Sequence, residues 1–261
     1  MNTAAGYSGT QAIRRAVAVL KAFGPDSAPL TAQQISQRTG LNRSTVYRLL
    51  SALDHEGLVA LDDAGRYRLG PDLAILGALA LRQIDLHQVA LPFLRTLAEQ
   101  SGETVDLEIL HGSQVLLVEE IEGAHLLNAA SNVGTLYPAH CTSTGKLLLA
   151  DLPPAELAAL LAGELAAPGP RAITDAAALR VELQASLARG YATSYEELEA
   201  HLHAVGAPIR NHRGRVVAAI SISGPAARLP PERGPALAAL LLEACGAISR
   251  ALGYRETKTA R

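Results

Sequence analysis

Tryptophan is absent from this 261-residue chain, and its aromatic residues amount to two Phe and seven Tyr. Hydrophobic residues are nonetheless 49% of the total, so a well-filled globular core must be built mainly from Leu, Ile, Val and Ala. Cysteine is scarce as well. Cys141 and Cys245 stand alone with no CxxC or related spacing, which excludes a disulfide framework and the common zinc patterns. No metal and no cofactor are expected. Long apolar runs are lacking too: Leu73 to Leu81 falls far short of a bilayer span. The opening MNTAAGYSGT has no basic start, apolar stretch and cleavage pattern. Together these absences predict a cytoplasmic protein with no membrane partner.

The net charge of −2 conceals an asymmetry. Residues 1–70 carry 8 Lys and Arg against 5 Asp and Glu, whereas 71–261 carry 15 against 20. A mildly basic head on an acidic body permits a nucleic-acid surface at the N-terminus. Its local arrangement supports one. Ile13, Ala16, Val17, Leu20 and Phe23 recur at helical spacing, and the helix stops near Gly24-Pro25. Thr31 is placed to cap a second helix, with Gln34 closing the capping box and Leu30 and Ile35 forming a staple. Gly40 ends it. Asn42 then caps a third helix, stapled from Leu41 to Val46, that buries Val46, Leu49, Leu50 and Leu53.

The exposed side and first turn of that third helix carry Arg43, Ser44, Thr45 and Arg48. Two short helices about a Gly turn, the second presenting Arg and hydroxyl groups, form a helix-turn-helix. Its geometry suits the major groove, where Arg reads guanine edges or phosphates and Ser or Thr reads either. Residues 57–61 and 66–69 flank the turn Asp62-Asp63-Ala64-Gly65 and predict a hairpin wing carrying Arg66 and Arg68. The DNA contacts expected are therefore Thr31, Gln33, Asn42, Arg43, Ser44, Thr45, Arg48, Arg66 and Arg68.

Gly70-Pro71-Asp72 opens a further helix. Leu73, Ile75, Leu76, Leu79 and Leu81 make it apolar over much of its circumference, which predicts pairing with a second subunit. Another helix is expected at about 86–101, containing Pro92. Alternation then indicates strands at 103–110, 114–122 and 126–131. Helices follow at about 143–150, 154–163 and 175–189, strands at 191–196, 204–210 and 215–223, and a closing helix at 231–252. Strands, then helices, then strands again predict an α+β domain on one antiparallel or mixed sheet. The tail from Glu256 reads as disordered. The domains are a winged helix-turn-helix at 10–70, a linker helix at 71–87 and an α+β domain at 88–255.

Rival readings are an adaptor or ligand-binding protein without DNA binding, and an enzyme with Cys141 as nucleophile and His140 or His203 as base. Adjacency in sequence does not put Cys and His in contact, and no orienting third group is evident. Gly145-Lys146 suggests a phosphate loop, but His140 stands where its first Gly belongs. His201 and His203, two apart on a strand, should share a face, yet no further ligand completes a metal site.

The chain resembles the IclR family of bacterial regulators over about 10–253. The resemblance rests on Leu41-Asn42-Arg43-Ser44-Thr45-Val46-Tyr47-Arg48-Leu49-Leu50, on Tyr137-Pro138-Ala139-His140-Cys141-Thr142-Ser143-Thr144-Gly145-Lys146, on Arg189-Gly190-Tyr191 followed by Glu196-Glu197, and on the run from Gly214 to Pro225. It implies a GAF-like α/β effector domain behind the winged helix. It further implies homodimers or homotetramers on double-stranded operator DNA, and control by a small organic acid, with repression preferred over activation. The pocket it implies uses the 140–145 loop, where Ser143 and Thr144 amides beside Gly145 hold a carboxylate. Ser194, Ala204, Ser221 and Ser223 face that pocket. Ser221 and Ser223 alternate with Ile220 and Ile222, so both hydroxyls share a sheet face. Family members that bind very small keto acids carry an acidic residue and a Cys where this chain has Ser194 and Ala204. The uncharged, roomier pair points to a larger ligand. Tyr191 or Tyr195 is placed to cover a ring and His203 to meet a ring hydroxyl, which suggests an aromatic carboxylate such as a hydroxybenzoate.

Overall fold

A computed structural model of the chain describes residues 10–24, 28–82, 85–123 and 132–255. The strand expected at 126–131 and the tail from 256 lie outside the described residues. The chain divides into two compact units, Met1–Ile84 and Asp85–Arg261.

The smaller unit is built from local signals. Helix α1 (Gln11–Lys21) is followed by α2 (Ala32–Thr39) and α3 (Arg43–His55). Thr31 and Gln34 form the reciprocal capping box, and Gly40 closes α2 in the left-handed conformation that favours glycine. Asn42 Oδ1 accepts the Thr45 N–H at 2.8 Å to start α3, a cap worth about 1 kcal/mol. Val19, Leu30, Ile35, Val46, Leu50 and Val59 form the core. The inward stripe of α1 is therefore centred on Val19, while Ile13 and Val17 are 64% and 43% exposed. This corrects the expected stripe, since three short helices can cover only one narrow face of α1. Strands β1 (Val59–Leu61) and β2 (Tyr67–Leu69) form the antiparallel wing. The first turn of α4 (Pro71–Arg82) is anchored to the wing base by the Asp72 N–H on the Gly57 carbonyl.

The larger unit begins with α5 (Asp85–Ser101), followed by β3 (Thr104–His111) and β4 (Gln114–Ile121). Then come β5 (Leu136–Pro138), a 3-10 turn at Ala139–Cys141, α6 (Ser143–Ala150), α7 (Pro154–Leu160) and α8 (Ala176–Arg189). The chain ends with β6 (Ala192–Tyr195), β7 (Leu202–Arg210), β8 (Val216–Pro225) and α9 (Gly234–Ala251). All sheet neighbours are antiparallel, in the order β5-β4-β3-β8-β7-β6. Strand β5 was not expected from the sequence, being three residues long and ending in Pro.

Period-two alternation sends side chains to two different layers. Val105, Leu107, Val205, Ala207, Ile209, Ile220 and Ile222 pack under α5 and α9. The segment Pro231–Ala251 has the length and apolarity of a membrane span, but Leu237, Leu241 and Ile248 are buried in this layer. The opposite face meets α6 and α8 through Val115, Ala192 and Ala219. Where those helices stop, the face is open and a cavity forms.

One irregularity matters. Opposite Leu107 and Glu108, strand β4 pairs through Glu119 and Leu117, so Val118 is an extra residue. The bulge reverses the parity of β4. Leu117 faces the cavity before it and Glu120 after it, while Glu119 turns to α5 and meets His87 at 2.7 Å.

Candidate functional site

In the smaller unit, α3 exposes Arg43, Ser44, Tyr47 and Arg48 along one side. Arg43 and Arg48 carry no ion pair among the described residues. Asn42, Ser44 and Thr45 are partly engaged already: Asn42 Oδ1 takes both the Thr45 N–H and the Ser44 hydroxyl, the latter at 3.0 Å. Thr31 is likewise occupied by its capping box, whereas Gln33 beside it is exposed. Tyr47 was missed as a candidate. It is 56% exposed, and its helical offset from Arg43 and Ser44 is the signal that places it there. In the wing, Arg68 is exposed, and Arg66 pairs with Asp62 at 3.1 Å. Asp62 also accepts the Arg66 and Ala64 N–H groups at 2.8 and 3.0 Å, and these bonds hold its carboxyl below the usual range.

The cavity of the larger unit has a volume of about 710 Å³. Such a volume suits a drug-sized molecule. Its floor is the β3-β8-β7-β6 sheet, contributing Asp106, Glu108, Ser221, Ser223, Ala204 and Ser194, and its end wall is the Cys141–Thr144 segment. Sequence reasoning placed Cys141, Ser143, Thr144, Ser194, Ala204, Ser221 and Ser223 together, and the fold brings all seven to this lining.

Other expected members lie elsewhere. Tyr195 and His203 pair across β6 and β7 with ring centroids 4.8 Å apart, and His203 Nδ1 meets the Leu229 carbonyl at 2.8 Å. Both sit on the strand parity opposite to Ser194 and Ala204. Tyr191 packs against the α5–α9 layer, with the Arg189 guanidinium over its ring. His140 is buried with Nε2 2.8 Å from the Ala166 carbonyl. None of these four side chains lines the cavity: Tyr195 and His203 alternate away from it on their strands, His140 is held on the Ala166 carbonyl, and Tyr191 packs on the other layer. His201 and His203 also diverge, since His201 lies before the strand core with φ +63° and breaks the alternation.

Gly145 has a different role from the anion donor anticipated. Its N–H is taken by Thr142 Oγ1 at 2.9 Å, because Thr142 is the true cap of α6. A Cβ on Gly145 would lie 2.1 Å from the Ala139 carbonyl oxygen, so glycine lets the helix press onto the preceding turn. The amides of Ser143 and Thr144, in the first turn, have no intrahelical acceptor.

Acidic groups missed from the sequence dominate the electrostatics. Burial pushes Asp106 up to about 7, aided by Glu120 and opposed by Ser223 and Ser221. Burial and the Asp106 charge push Glu108 up to about 8, opposed by the Thr144 hydroxyl. Ser221 and Ser223 donate to Asp106 Oδ2 at 3.3 and 3.0 Å, and Thr144 donates to Glu108. Behind the end wall, Lys146 is buried and gives its ammonium to Glu197 at 2.6 Å and to the Thr193 carbonyl at 2.9 Å. Burial pushes the Cys141 thiol up to about 11, so it is protonated at neutral pH. With His140 on the Ala166 carbonyl, no Cys–His nucleophile is assembled here.

The family model of the IclR helix-turn-helix domain matches residues 12–63, and that of the bacterial transcriptional regulator IclR C-terminal region matches 78–250. The chain is 35% identical over 246 residues to the HTH-type transcriptional regulator XynR of Escherichia coli, covering 94% of this chain and 98% of that one. It is 32% identical over 249 residues to the HTH-type transcriptional repressor AllR of Escherichia coli, covering 95% and 92%. An IclR homolog from Microbacterium hydrocarbonoxydans, solved in complex with 4-hydroxybenzoate, is similar with a TM-score of 0.83 and 31% identity, covering 93% of this chain and 99% of that one. The chain thus belongs to the IclR family, as a DNA-binding, ligand-responsive transcriptional regulator with an N-terminal helix-turn-helix domain and a C-terminal α/β domain.

Proposed function

We propose that this protein is a cytoplasmic repressor whose grip on its operator is set by a small organic acid held in the 710 Å³ cavity. One observation carries the reading: a chain with a helix-turn-helix also encloses a ligand-sized cavity on an antiparallel sheet. Repression is supported by the likeness to AllR. A hydroxybenzoate is the first candidate ligand, supported by the 4-hydroxybenzoate in the Microbacterium homolog. The carboxylate of such a ligand has the free Ser143 and Thr144 amides to bind.

In this reading Arg43, Tyr47 and Arg48 meet bases or adjacent phosphates in the major groove. Gln33 and Arg68 meet backbone, and Arg66 joins them by exchanging Asp62 for a phosphate. Subunits pair through α4, whose Ile75, Leu76 and Leu79 are 55%, 54% and 49% exposed, giving a homodimer or homotetramer. Fluorescence anisotropy with DNA from upstream of its own gene tests the reading. Arg43→Ala should weaken specific binding by about 1–3 kcal/mol if the contact is bidentate. Arg68→Ala should weaken specific and non-specific DNA alike and flatten the salt dependence. Unchanged affinity in both variants, with folding intact, removes the DNA-reading assignment and leaves the adaptor reading.

A further inference from the structure

One wall of the cavity consists almost wholly of hydrogen-bond acceptors. Asp106 and Glu108 point into it from β3. The three hydroxyls beside them, on Ser221, Ser223 and Thr144, commit their hydrogens to these carboxylates and so present only lone pairs to the cavity. Asp106 Oδ1 is buried without a hydrogen-bond partner among the described residues. The same is true of the Oγ of Ser143, a lining residue that is 1% exposed. Glu120 takes the Asn132 side-chain amide and N–H, each at 3.2 Å. Among the described residues the one Lys or Arg side chain on the lining, Arg228, is clamped by Glu103 through bonds of 2.8 and 2.6 Å. His201 is a rim residue, 89% exposed and turned to Glu196.

We propose that the effector meets this wall with hydroxyl groups, which donate to the carboxyl groups of Asp106 and Glu108, and that the cavity selects for hydroxylation. The proposal rests on the cavity being the effector site and adds the chemistry by which it chooses among ligands. A buried acceptor left unpaired costs more than its satisfied bond returns, because its lost hydration is not replaced. A site built to receive a hydroxyl therefore rejects the analogue lacking one far better than an apolar site rejects an extra methylene. Short unhydroxylated acids leave this acceptor wall without a donor. A ring or chain carrying a hydroxyl supplies one.

Calorimetry and thermal shift on the full-length protein test this with two matched pairs, benzoate against 4-hydroxybenzoate and toluene against 4-methylphenol, and with benzylamine as a cationic donor. The hydroxylated member of a pair should bind at least about tenfold more tightly, as expected for hydrogen bonds to ionisable groups. Selection in the neutral pair alone keeps the hydroxyl inference and removes the organic-acid reading. Equal binding within both pairs, or tighter binding of benzylamine than of either phenol, overturns hydroxyl selection while keeping the effector cavity. Binding by none of the five at millimolar concentration overturns both. Asp106→Asn and Glu108→Gln preserve volume, and each should cut the preference to about twofold or less. Two variants guard against one failing to fold, which an unliganded melt establishes first. A preference retained in a folded variant assigns the hydroxyl to another part of the wall and defeats the proposal.

Discussion

Two buried acidic sites in the larger unit are handled in opposite ways. Glu197 is matched by Lys146, whose ammonium lies 2.6 Å away and whose remaining bond goes to the Thr193 carbonyl. Among the described residues Asp106 and Glu108 have no cation at comparable range, and their side-chain partners are hydroxyls. Burial pushes all three carboxyls upward, but only Glu197 has a lysine opposing it. The paired site joins α6 to the turn after β6 and contributes to holding the fold. The unpaired site borders a cavity, and its unmet acceptors are stabilised when something binds there. A buried charge with its partner is architecture; one without is an invitation to a ligand.

The sharpest way to break this contrast is to remove the lysine. Lys146→Met should destabilise the protein by about 3–5 kcal/mol, because Glu197 is left buried and unmatched. Adding Glu197→Gln should recover much of that loss in chemical denaturation. A single variant as stable as the parent denies Lys146 its structural role.

A smaller effect is expected from pH. Asp106 and Glu108 titrate near 7 and 8 in the folded chain, above their unfolded values. Their contribution is fully present below about pH 4 and is lost as pH rises through 7 and 8. Glu120 on β4, Glu122 just after it and Glu199 on the lining add negative charge, while Arg228 is neutralised by Glu103. The unliganded protein should therefore lose roughly a few kcal/mol between pH 4 and 8. In the Asp106→Asn, Glu108→Gln double variant this loss should shrink, and an unchanged slope places the titration elsewhere. For an acid ligand the same protons help, so affinity should fall above pH 8.

The smallest effect is kinetic. Burial raises the Cys141 and Cys245 thiols to about 11 and 12, so a disulfide reagent at pH 8 should label both only after unfolding. Rapid labelling of Cys141, which borders the cavity, reveals an end wall that opens without ligand.

The reading head was legible residue by residue because its signals are local. Thr31, Gln34, Gly40 and Asn42 take the capping positions their chemistry predicts. The mistakes there concern the outside of the bundle, at Ile13 and Val17, where neighbours distant in sequence decide burial. In the larger unit most strands were located to within a residue or two, and the pairing of Ser221 with Ser223 on one face followed from alternation. Grouping Tyr191, Tyr195 and His203 with Ser194 and Ala204 ignored that same alternation, so this error was correctable from sequence. The bulge at Val118 was not, because an extra residue becomes visible only against the strand it faces.

The sequence by itself determined that Val105 and Leu107 face one way and Asp106 and Glu108 the other, since a strand repeats every two residues. On an antiparallel sheet such a pattern ordinarily means a buried face and a wet one. Tertiary structure decided otherwise. Thr144 and Cys141 arrive from beyond β5, Ser221 and Ser223 from β8, and Glu120 through the bulge in β4. They enclose the acidic face in a cavity instead of leaving it to open solvent. Period is a property of consecutive residues, but desolvation belongs to whatever packs above them. No window of sequence around Asp106 contains the residues that raise its pKa.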